Sequence, residues 1–225
     1  MCKQNFSKSI DQTIKQPQLK VYVANLGKYN EGKLYGAWLN LPTAHNQIQT
    51  FLKTQVGLNK QYEEIAIHDY ESNFNLGEHE NLYDLNLLAV VLEQMSETEK
   101  NLASAYCNFN GLKTSLEILN VCVQIDDLFY VELDANSWGS REEKLGYALL
   151  DGVDSDLRVA LEQCQIGNGL SVFEYFDFEK YGRDVSISDG YFVGDGFFVF
   201  YASDVNSERY TLQELRDLID DPCLQ

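Results

Sequence analysis

The residues best suited to catalysis are few, and the clearest pair is His68 followed directly by Asp69. A histidine beside a carboxylate can act as a general base whose ring the carboxylate orients. Such a base also needs a nucleophile or a bound water, and no Ser or Cys motif accompanies His68 or the other histidines, His45 and His79. We therefore expect His68 to be a locally hydrogen-bonded strand residue. A hydrolase is the weakest functional alternative.

A second motif, from Gly27 to Leu34 (GKYNEGKL), follows the phosphate-binding pattern G-x-x-x-x-G-K-[ST] up to its last position. Leu34 has no oxygen that could ligate Mg²⁺, and the carboxylate of Glu31 would lie against phosphate charge. A phosphate loop also needs a following helix that aims backbone amides at the ligand, whereas the residues after Gly32 predict a strand. We expect this motif to be the turn of a hairpin.

A third motif, the segment DANSWG, has Asp134, Asn136 and Gly139 at the spacing that begins a calcium loop. The fifth position holds Trp138 and the twelfth holds Leu145, where oxygen ligands are required. A calcium site is therefore not expected, and Trp138 is predicted to pack beside a turn.

The remaining reactive residues predict no metal or cofactor. Arg183 and Asp184 are adjacent and are expected to form a structural ion pair. The cysteines are odd in number, widely spaced and without a C-x-x-C pair, which is typical of reduced thiols rather than a disulfide frame or a zinc site. They are Cys2, Cys107, Cys122, Cys164 and Cys223.

The charge of the chain is distributed unevenly. Residues 1–60 hold eight lysines against Asp11 and Glu31, a net charge of +6, whereas residues 61–225 hold 33 acids against nine bases, a net charge of −24. Duplex DNA carries one charge per roughly 1.7 Å of axis, so 24 charges at that density cover about 40 Å. A folded carboxylate surface of this extent could stand in for a phosphate backbone.

Composition leaves a plainer explanation open, because many cytosolic proteins are acidic only to remain soluble. The 225 residues, 44% of them hydrophobic, suit one large domain or two to three small ones. No secretory signal is expected at the start, and the longest apolar runs, 87–92 and 197–202, are too short to cross a bilayer. A cytoplasmic protein without a membrane partner is predicted.

Hydrophobic periodicity predicts an α+β fold, an elongated chain of three small domains in series. A flexible leader (1–18) precedes an antiparallel sheet with one helix (19–75), a helical acidic domain (76–120), an α+β domain (121–203) and a tail helix (204–225). Strands are predicted at 19–25, 33–41, 63–70, 172–178, 184–187, 191–193 and 197–201. Helices are predicted at 48–56, 82–95, 96–111, 112–119, 140–152, 154–164 and 211–219.

The segment 121–133 permits two interpretations, either two strands around Asp126 and Asp127 or a helix capped by Asp126. Capping-box pairs are predicted where a Ser or Thr precedes a Glu by three positions. These pairs are Ser96 with Glu99, Ser140 with Glu143, and Thr211 with Glu214.

Three blocks of the chain resemble the ArdA antirestriction proteins. They are Val21–Pro42 (VYVANLGKYNEGKLYGAWLNLP), Tyr62–Tyr70 (YEEIAIHDY) and Tyr175–Asp184 (YFDFEKYGRD), which is similar to a Y-x-x-Y-x-R-D region with Phe178 and Tyr181 in the tyrosine places. The blocks occur in the family's order and frame roughly residues 19–202. Residues 112–140 match only loosely, and both the leader and the tail lie outside the resemblance.

The resemblance implies a non-enzymatic mimic of B-form DNA that forms an elongated, curved homodimer. Such a protein occupies the DNA groove of a type I restriction-modification enzyme, so the expected partner is the methyltransferase core rather than a nucleic acid. The candidate contacts are acids of the middle and of the third domain's start. They are Glu63, Glu64, Asp69, Glu71, Glu78, Glu80, Asp84, Glu93, Glu97, Glu99, Glu117, Asp126, Asp127, Glu142 and Glu143.

A homodimer of −18 chains needs a joining surface of low charge, and the aromatic strands of the third domain are the least acidic apolar segment of the second half. The expected interface residues are Phe173, Tyr191, Phe192, Phe198 and Tyr201. An alternative function is an acidic adaptor or chaperone for basic nucleic-acid-associated proteins. Competition with DNA for a type I methyltransferase separates these two functions.

Overall fold

The first sheet is built around β1 (Leu19–Asn25), whose alternate side chains Leu19, Val21 and Val23 are buried. In the computed structural model, which describes residues 18–219, β2 (Gly36–Leu41) and β3 (Ile65–Glu71) pair with β1 on either side, both antiparallel. The single-turn helix α1 (Leu26–Asn30) lies in the β1–β2 connection. The predicted hairpin is therefore confirmed, and the glycine motif is its connection.

Helices complete the core of this sheet. Ile48 and Phe51 of α2 (His45–Thr54) are buried with the strands. The next three helices are α3 (Leu82–Gln94), α4 (Glu97–Asn110) and α5 (Ser115–Val123), and their apolar faces join the same core. Packing is thus continuous across residue 75, and the division into domains at that point stays a prediction.

Local signals in the sequence set the ends of these helices. The Ser96–Glu99 capping box begins α4, as predicted, and Thr114 with Glu117 forms a second capping box at α5. Gly111 ends α4 with a φ of 71°, a left-handed conformation that glycine adopts without steric cost.

A second sheet, of strand order β4-β8-β7, forms from β4 (Tyr130–Glu132), β7 (Gly190–Val193) and β8 (Phe197–Phe200). The helices α6 (Arg141–Asp151) and α8 (Phe178–Ser188) cross beside it in close contact. Between them in sequence lie α7 (Ser155–Gln163) and the small hairpin of β5 (Gln165–Ile166) and β6 (Leu170–Ser171). The overall α+β class is confirmed.

Neither interpretation of residues 121–133 is correct. Helix α5 continues to Val123 because Val121 and Cys122 extend its buried face, and Asp126 lies inside a 3-10 turn (Ile125–Asp127) instead of capping a helix. Only Tyr130–Glu132 form a strand here.

Two further strands were predicted where helices occur. Residues 172–175 form a 3-10 turn, and 184–187 lie inside α8. The side chain of Asp177 accepts a hydrogen bond from the backbone N of Lys180 at 2.9 Å and begins α8. Tertiary packing against α6 then holds the β-branched residues of 184–187 in a helix.

The predicted tail helix is present as α9 (Leu212–Leu218), opened by the Thr211–Glu214 capping box. Its Leu215 is buried in the first core, together with Ile219. Upstream of α9, Asn120 Nδ2 donates to the carbonyl of Tyr210 at 2.9 Å, and the backbone N of Tyr210 donates to Asn120 Oδ1 at 2.8 Å. The predicted leader lies outside the described residues, apart from Gln18.

Candidate acidic interaction surface

His68 and Asp69, the candidate catalytic pair, do not contact each other as a base and its orienting carboxylate would. Tyr22 pairs with Asp69 and Val23 with Ile67, so His68 is the extra residue of a β-bulge in β3. The His68 ring lies edge-on to Tyr29, with 4.5 Å between ring centroids, and its Nε2 lies 4.0 Å from Glu78 Oε1. Asp69 Oδ1 instead accepts from its neighbour's backbone N. Within residues 18–219 no hydrogen bond joins His68 to Asp69.

Residues of the glycine motif (27–34) form contacts within the chain, chiefly with Tyr62. Glu31 accepts a hydrogen bond from the Tyr62 hydroxyl at 2.8 Å and forms an ion pair with Lys33 at 3.3 Å. Both contacts lower the pKa of Glu31, the Tyr62 hydrogen bond more strongly. The Tyr62 ring also packs on Gly27, leaving no room for a β-carbon there.

The calcium-like loop is an Asx turn, in which the backbone N of Asn136 donates to Asp134 Oδ1 at 2.8 Å. The prediction that Trp138 packs beside this turn is wrong, because 95% of the residue surface is exposed. Nowhere in residues 18–219 do three or more His, Cys, Asp or Glu side chains form a group that could hold a metal ion. Cys107 and Cys122 are buried thiols, and burial raises the pKa of Cys107 to about 12.

Three of the predicted contact acids are held at the starts of helices. Glu99 Oε2 accepts from the backbone N of Ser96 at 2.6 Å, and Glu117 Oε2 accepts from the backbone N of Thr114 at 3.0 Å. Glu80 Oε2 accepts from both the backbone N and the hydroxyl of Ser115, at 2.9 and 2.6 Å. These three carboxylates already accept hydrogen bonds within the chain that stabilise the starts of helices.

Four more of the predicted acids form ion pairs with the chain's own cations. Glu71 pairs with Lys20 and Glu97 with Lys100, both at 2.7 Å. In the remaining two pairs the cations come from the tail. Arg216 Nη2 donates to Asp84 Oδ1 at 2.9 Å, and Arg209 Nη1 donates to Asp127 Oδ2 at 3.0 Å. These four pairs reduce the negative charge available to a partner. A further predicted acid, Glu78, has its Oε1 4.0 Å from His68 Nε2.

The other seven predicted acids are in neither a helix cap nor an ion pair with another of the described residues. We refer to them as the uncompensated acids. They are Glu63, Glu64, Asp69, Glu93, Asp126, Glu142 and Glu143. They lie on four parts of the fold, namely β3 with the residues before it, the end of α3, the 3-10 turn and the first turn of α6. The candidate site is thus a distributed surface and not a pocket.

The predicted contact acids omit two exposed acids on the segment that leads into α6, Glu132 and Asp134. Asp134 lies two residues after β4 and begins a turn, and its spacing in the sequence indicated only a possible calcium ligand. Trp138, on the same loop, was missed as a surface residue.

The predicted interface residues separate into a core group and an exposed group. Phe198 is fully buried within the subunit, where its side chain fills the core beneath the second sheet. Tyr201 is 64% exposed and its ring centroid lies 5.8 Å from that of Tyr191, which stacks on Phe109 at 4.9 Å. Phe173 and Phe192 are half-buried. We call Phe109, Tyr191 and Tyr201 the aromatic strip.

The YGRD segment lies on α8. Arg183 and Asp184 are both exposed, and no ion pair joins them, so the predicted pair does not form. The Tyr181 hydroxyl donates to Asp154 Oδ2, and burial together with this hydrogen bond raises the pKa of Tyr181. Gly182 is buried against α6.

Comparison with known proteins agrees with the resemblance found in the sequence. The family model described as "Antirestriction protein (ArdA)" matches residues 21–199, which is most of the chain. A search of curated proteins gave no match. No helix within residues 18–219 has both the length and the apolar character needed to cross a membrane.

Proposed function

Because the chain belongs to the ArdA family of antirestriction proteins, we propose that it mimics B-form DNA and occupies the DNA-binding groove of type I restriction-modification enzymes. It acts by binding and not by catalysis. The observation that carries this proposal, beside family membership, is the net charge of −24 on residues 61–225.

The physical basis is substitution of carboxylates for phosphates. A DNA groove is lined with Lys and Arg side chains that meet the duplex backbone. A folded protein presents its carboxylates in fixed positions, and it does so without the deformation energy that bending or opening a duplex requires. The net charge also accelerates encounter with a cationic groove. Such a decoy can therefore compete with DNA.

The uncompensated acids are the proposed principal contacts. A carboxylate already paired with Lys or Arg, such as Glu71 or Asp127, must give up that pair before it can meet a partner's cation. A carboxylate at a helix start, such as Glu117, is additionally needed for stability. Exposed acids without such partners, such as Glu63 and Glu64, are free of both costs.

The protein is proposed to act as a homodimer joined through the aromatic strip. At the charge density of DNA one subunit covers about 40 Å, and two subunits end to end double that length. The strip contains three aromatic rings and no charged group, so it can join two −18 chains without placing like charges in contact.

A gel-shift competition tests the proposal. A labelled duplex carrying the recognition sequence is bound to a purified type I methyltransferase core, and the protein is titrated in. We expect full displacement of the duplex, with the protein appearing in a complex with the core. A duplex that stays bound at a large excess of protein would refute the mimic. Capture of a basic nucleoid protein under the same conditions would then favour the adaptor function.

A further inference from the structure

Trp138 is the most exposed large apolar side chain among residues 18–219. Its backbone is held on both sides. Ser137 N donates to the carbonyl of Asp134 at 3.3 Å, and Ser140 Oγ accepts from Glu143 N at 3.1 Å to cap α6. The loop therefore fixes the position of Trp138 while its indole stays in water.

The second tryptophan, Trp38, has both an aromatic and a cationic neighbour and so provides a comparison for Trp138. Trp38 on β2 is 40% exposed, lies edge-on to the Tyr22 ring at 5.6 Å and is covered by Lys20 Nζ at 4.8 Å from the ring centroid. Trp138 has no aromatic or cationic neighbour of this kind among the described residues. The nearby Arg141 lies instead over the Phe192 ring, at 4.3 Å.

Two carboxylates lie close to Trp138 in sequence, and one of them contacts its loop. Glu143 Oε2 lies directly against Gly139, the residue that follows Trp138, and would overlap a β-carbon placed there. Glu142 occupies the same first turn of α6, and neither acid is in an ion pair within residues 18–219. The loop thus presents an exposed indole, and the two nearby carboxylates in the sequence are in no ion pair with another described residue.

We propose that Trp138, together with Glu142 and Glu143, is the contact point for an arginine of the partner's DNA groove. The inference rests on the proposed function and specifies one contact of it. Tryptophan is the side chain whose ring face binds cations best. An arginine guanidinium is planar, weakly hydrated and able to stack on the indole while its N–H groups donate to a carboxylate. A lysine ammonium cannot make both contacts as well.

The test compares Trp138→Ala and Trp138→Phe with the matched substitution Trp38→Phe in the gel-shift competition. We expect Trp138→Ala to weaken competition by about tenfold and Trp138→Phe by less, with Trp38→Phe unchanged. Because 95% of the surface of Trp138 is exposed, the variants should keep the circular dichroism of the parent protein. Equal competition by Trp138→Ala and the parent would overturn the inference and leave the proposed function intact.

A spectroscopic measurement reports the contact directly. The Trp38→Phe protein is labelled with 5-hydroxytryptophan, which is excited selectively in the presence of the partner's ordinary tryptophans, and acrylamide quenching is measured. We expect strong quenching in the free protein and protection in the complex. A reporter that remains quenched in the complex contradicts the contact, even if the duplex is displaced.

Short peptides separate the two cations without the enzyme. The same labelled protein is titrated with oligo-arginine and with oligo-lysine of equal length. We expect the arginine peptide to protect the reporter at several-fold lower concentration. Equal protection by both peptides would show that Trp138 responds to charge alone and would overturn the assignment to arginine. These peptide results do not depend on whether the protein displaces DNA.

Discussion

Gly182 of α8 lies directly against the backbone carbonyl of Glu142 in α6, with no space between them for a β-carbon. Gly146 meets the carbonyl of Phe178 in the same way one turn along α6. This crossing joins the YGRD segment to the first turn of α6, where Glu142 and Glu143 lie. The packing of the YGRD segment therefore positions Glu142 and Glu143, two of the uncompensated acids.

Replacing Gly182 with alanine should destabilise the protein by about 1–3 kcal/mol or more, because the added methyl overlaps backbone that cannot move independently. Urea unfolding measures the change. Gly196→Ala is the control, since a β-carbon at Gly196 meets nothing within 4 Å. Equal stability of the two variants would show that the helices can separate at no cost.

Neutralising uncompensated acids should weaken competition with DNA more than neutralising other exposed acids. The test variant carries Glu63→Gln, Glu64→Gln and Asp126→Asn. The control carries Glu179→Gln, Asp195→Asn and Glu208→Gln, which give the same change in net charge. Single changes should cost about 1 kcal/mol or less, and the triple test variant about tenfold in affinity. A control that loses as much as the test variant would mean that only total charge matters.

Inhibition should weaken steeply as salt rises, because each proposed contact pairs a carboxylate with a Lys or Arg of the groove. Between about 50 and 200 mM salt we expect the affinity for the methyltransferase core to fall by at least about tenfold. Isothermal titration at several salt concentrations measures the slope. An affinity independent of salt would contradict a charge-based decoy.

If the proposed homodimer forms through the aromatic strip, Tyr201→Asp should dissociate it by placing like charges opposite each other. Tyr175→Asp is a matched control, since Tyr175 is 65% exposed and Tyr201 is 64% exposed. Light scattering should show the 25.7 kDa subunit for Tyr201→Asp and the dimer for Tyr175→Asp. A dimer in both variants would place the interface elsewhere.

The capping boxes should make stability depend on pH. Hydrogen bonds from Thr114, chiefly from its backbone, hold the pKa of Glu117 below its ordinary value of 4.5 in the folded protein. The contribution of Glu117 to the free energy of unfolding is therefore present above about pH 4.5, and it is lost as the pH falls through the lower pKa of the folded state. Glu117→Ala should cost about 1 kcal/mol at pH 7 and progressively less in acid, as thermal unfolding across pH can show. A cost that does not change with pH would contradict the assignment.

Much of the first sheet and of the helices after it was predictable, because local signals and burial agree there. The strand 19–25 alternates as a half-buried strand must, and capping boxes mark the starts of α4 and α9. Predictions failed where tertiary packing overruled local propensity. The segment 184–187 is helical although it contains the β-branched Val185 and Ile187, because α8 packs against α6 through Gly182, which lies 40 positions from its contact Glu142.

The acidic surface was predictable as a charge but not as a set of contacts. Sequence spacing identifies Glu99 as a capping residue. In contrast, no residue pattern near Asp84 or Asp127 predicts their ion pairs with Arg216 and Arg209 of the tail. The sequence also did not predict which aromatic side chains are exposed to solvent. Phe198 and Tyr201 are three positions apart in one aromatic run, and only the pairing of β8 with its neighbours buries the first and leaves the second in water.

The two hydrogen bonds between Asn120 and Tyr210 hold the tail on the first core, which has a consequence for folding of the chain. The first core contains strand residues from position 19 and tail residues up to position 219, so it is assembled from opposite ends of the described residues. A chain that lacks the tail leaves the positions of Leu215 and Ile219 in this core unfilled. Closure of the core therefore depends on a long-range contact, and we expect a chain truncated near residue 199 to be recognised as incomplete by chaperones and proteases.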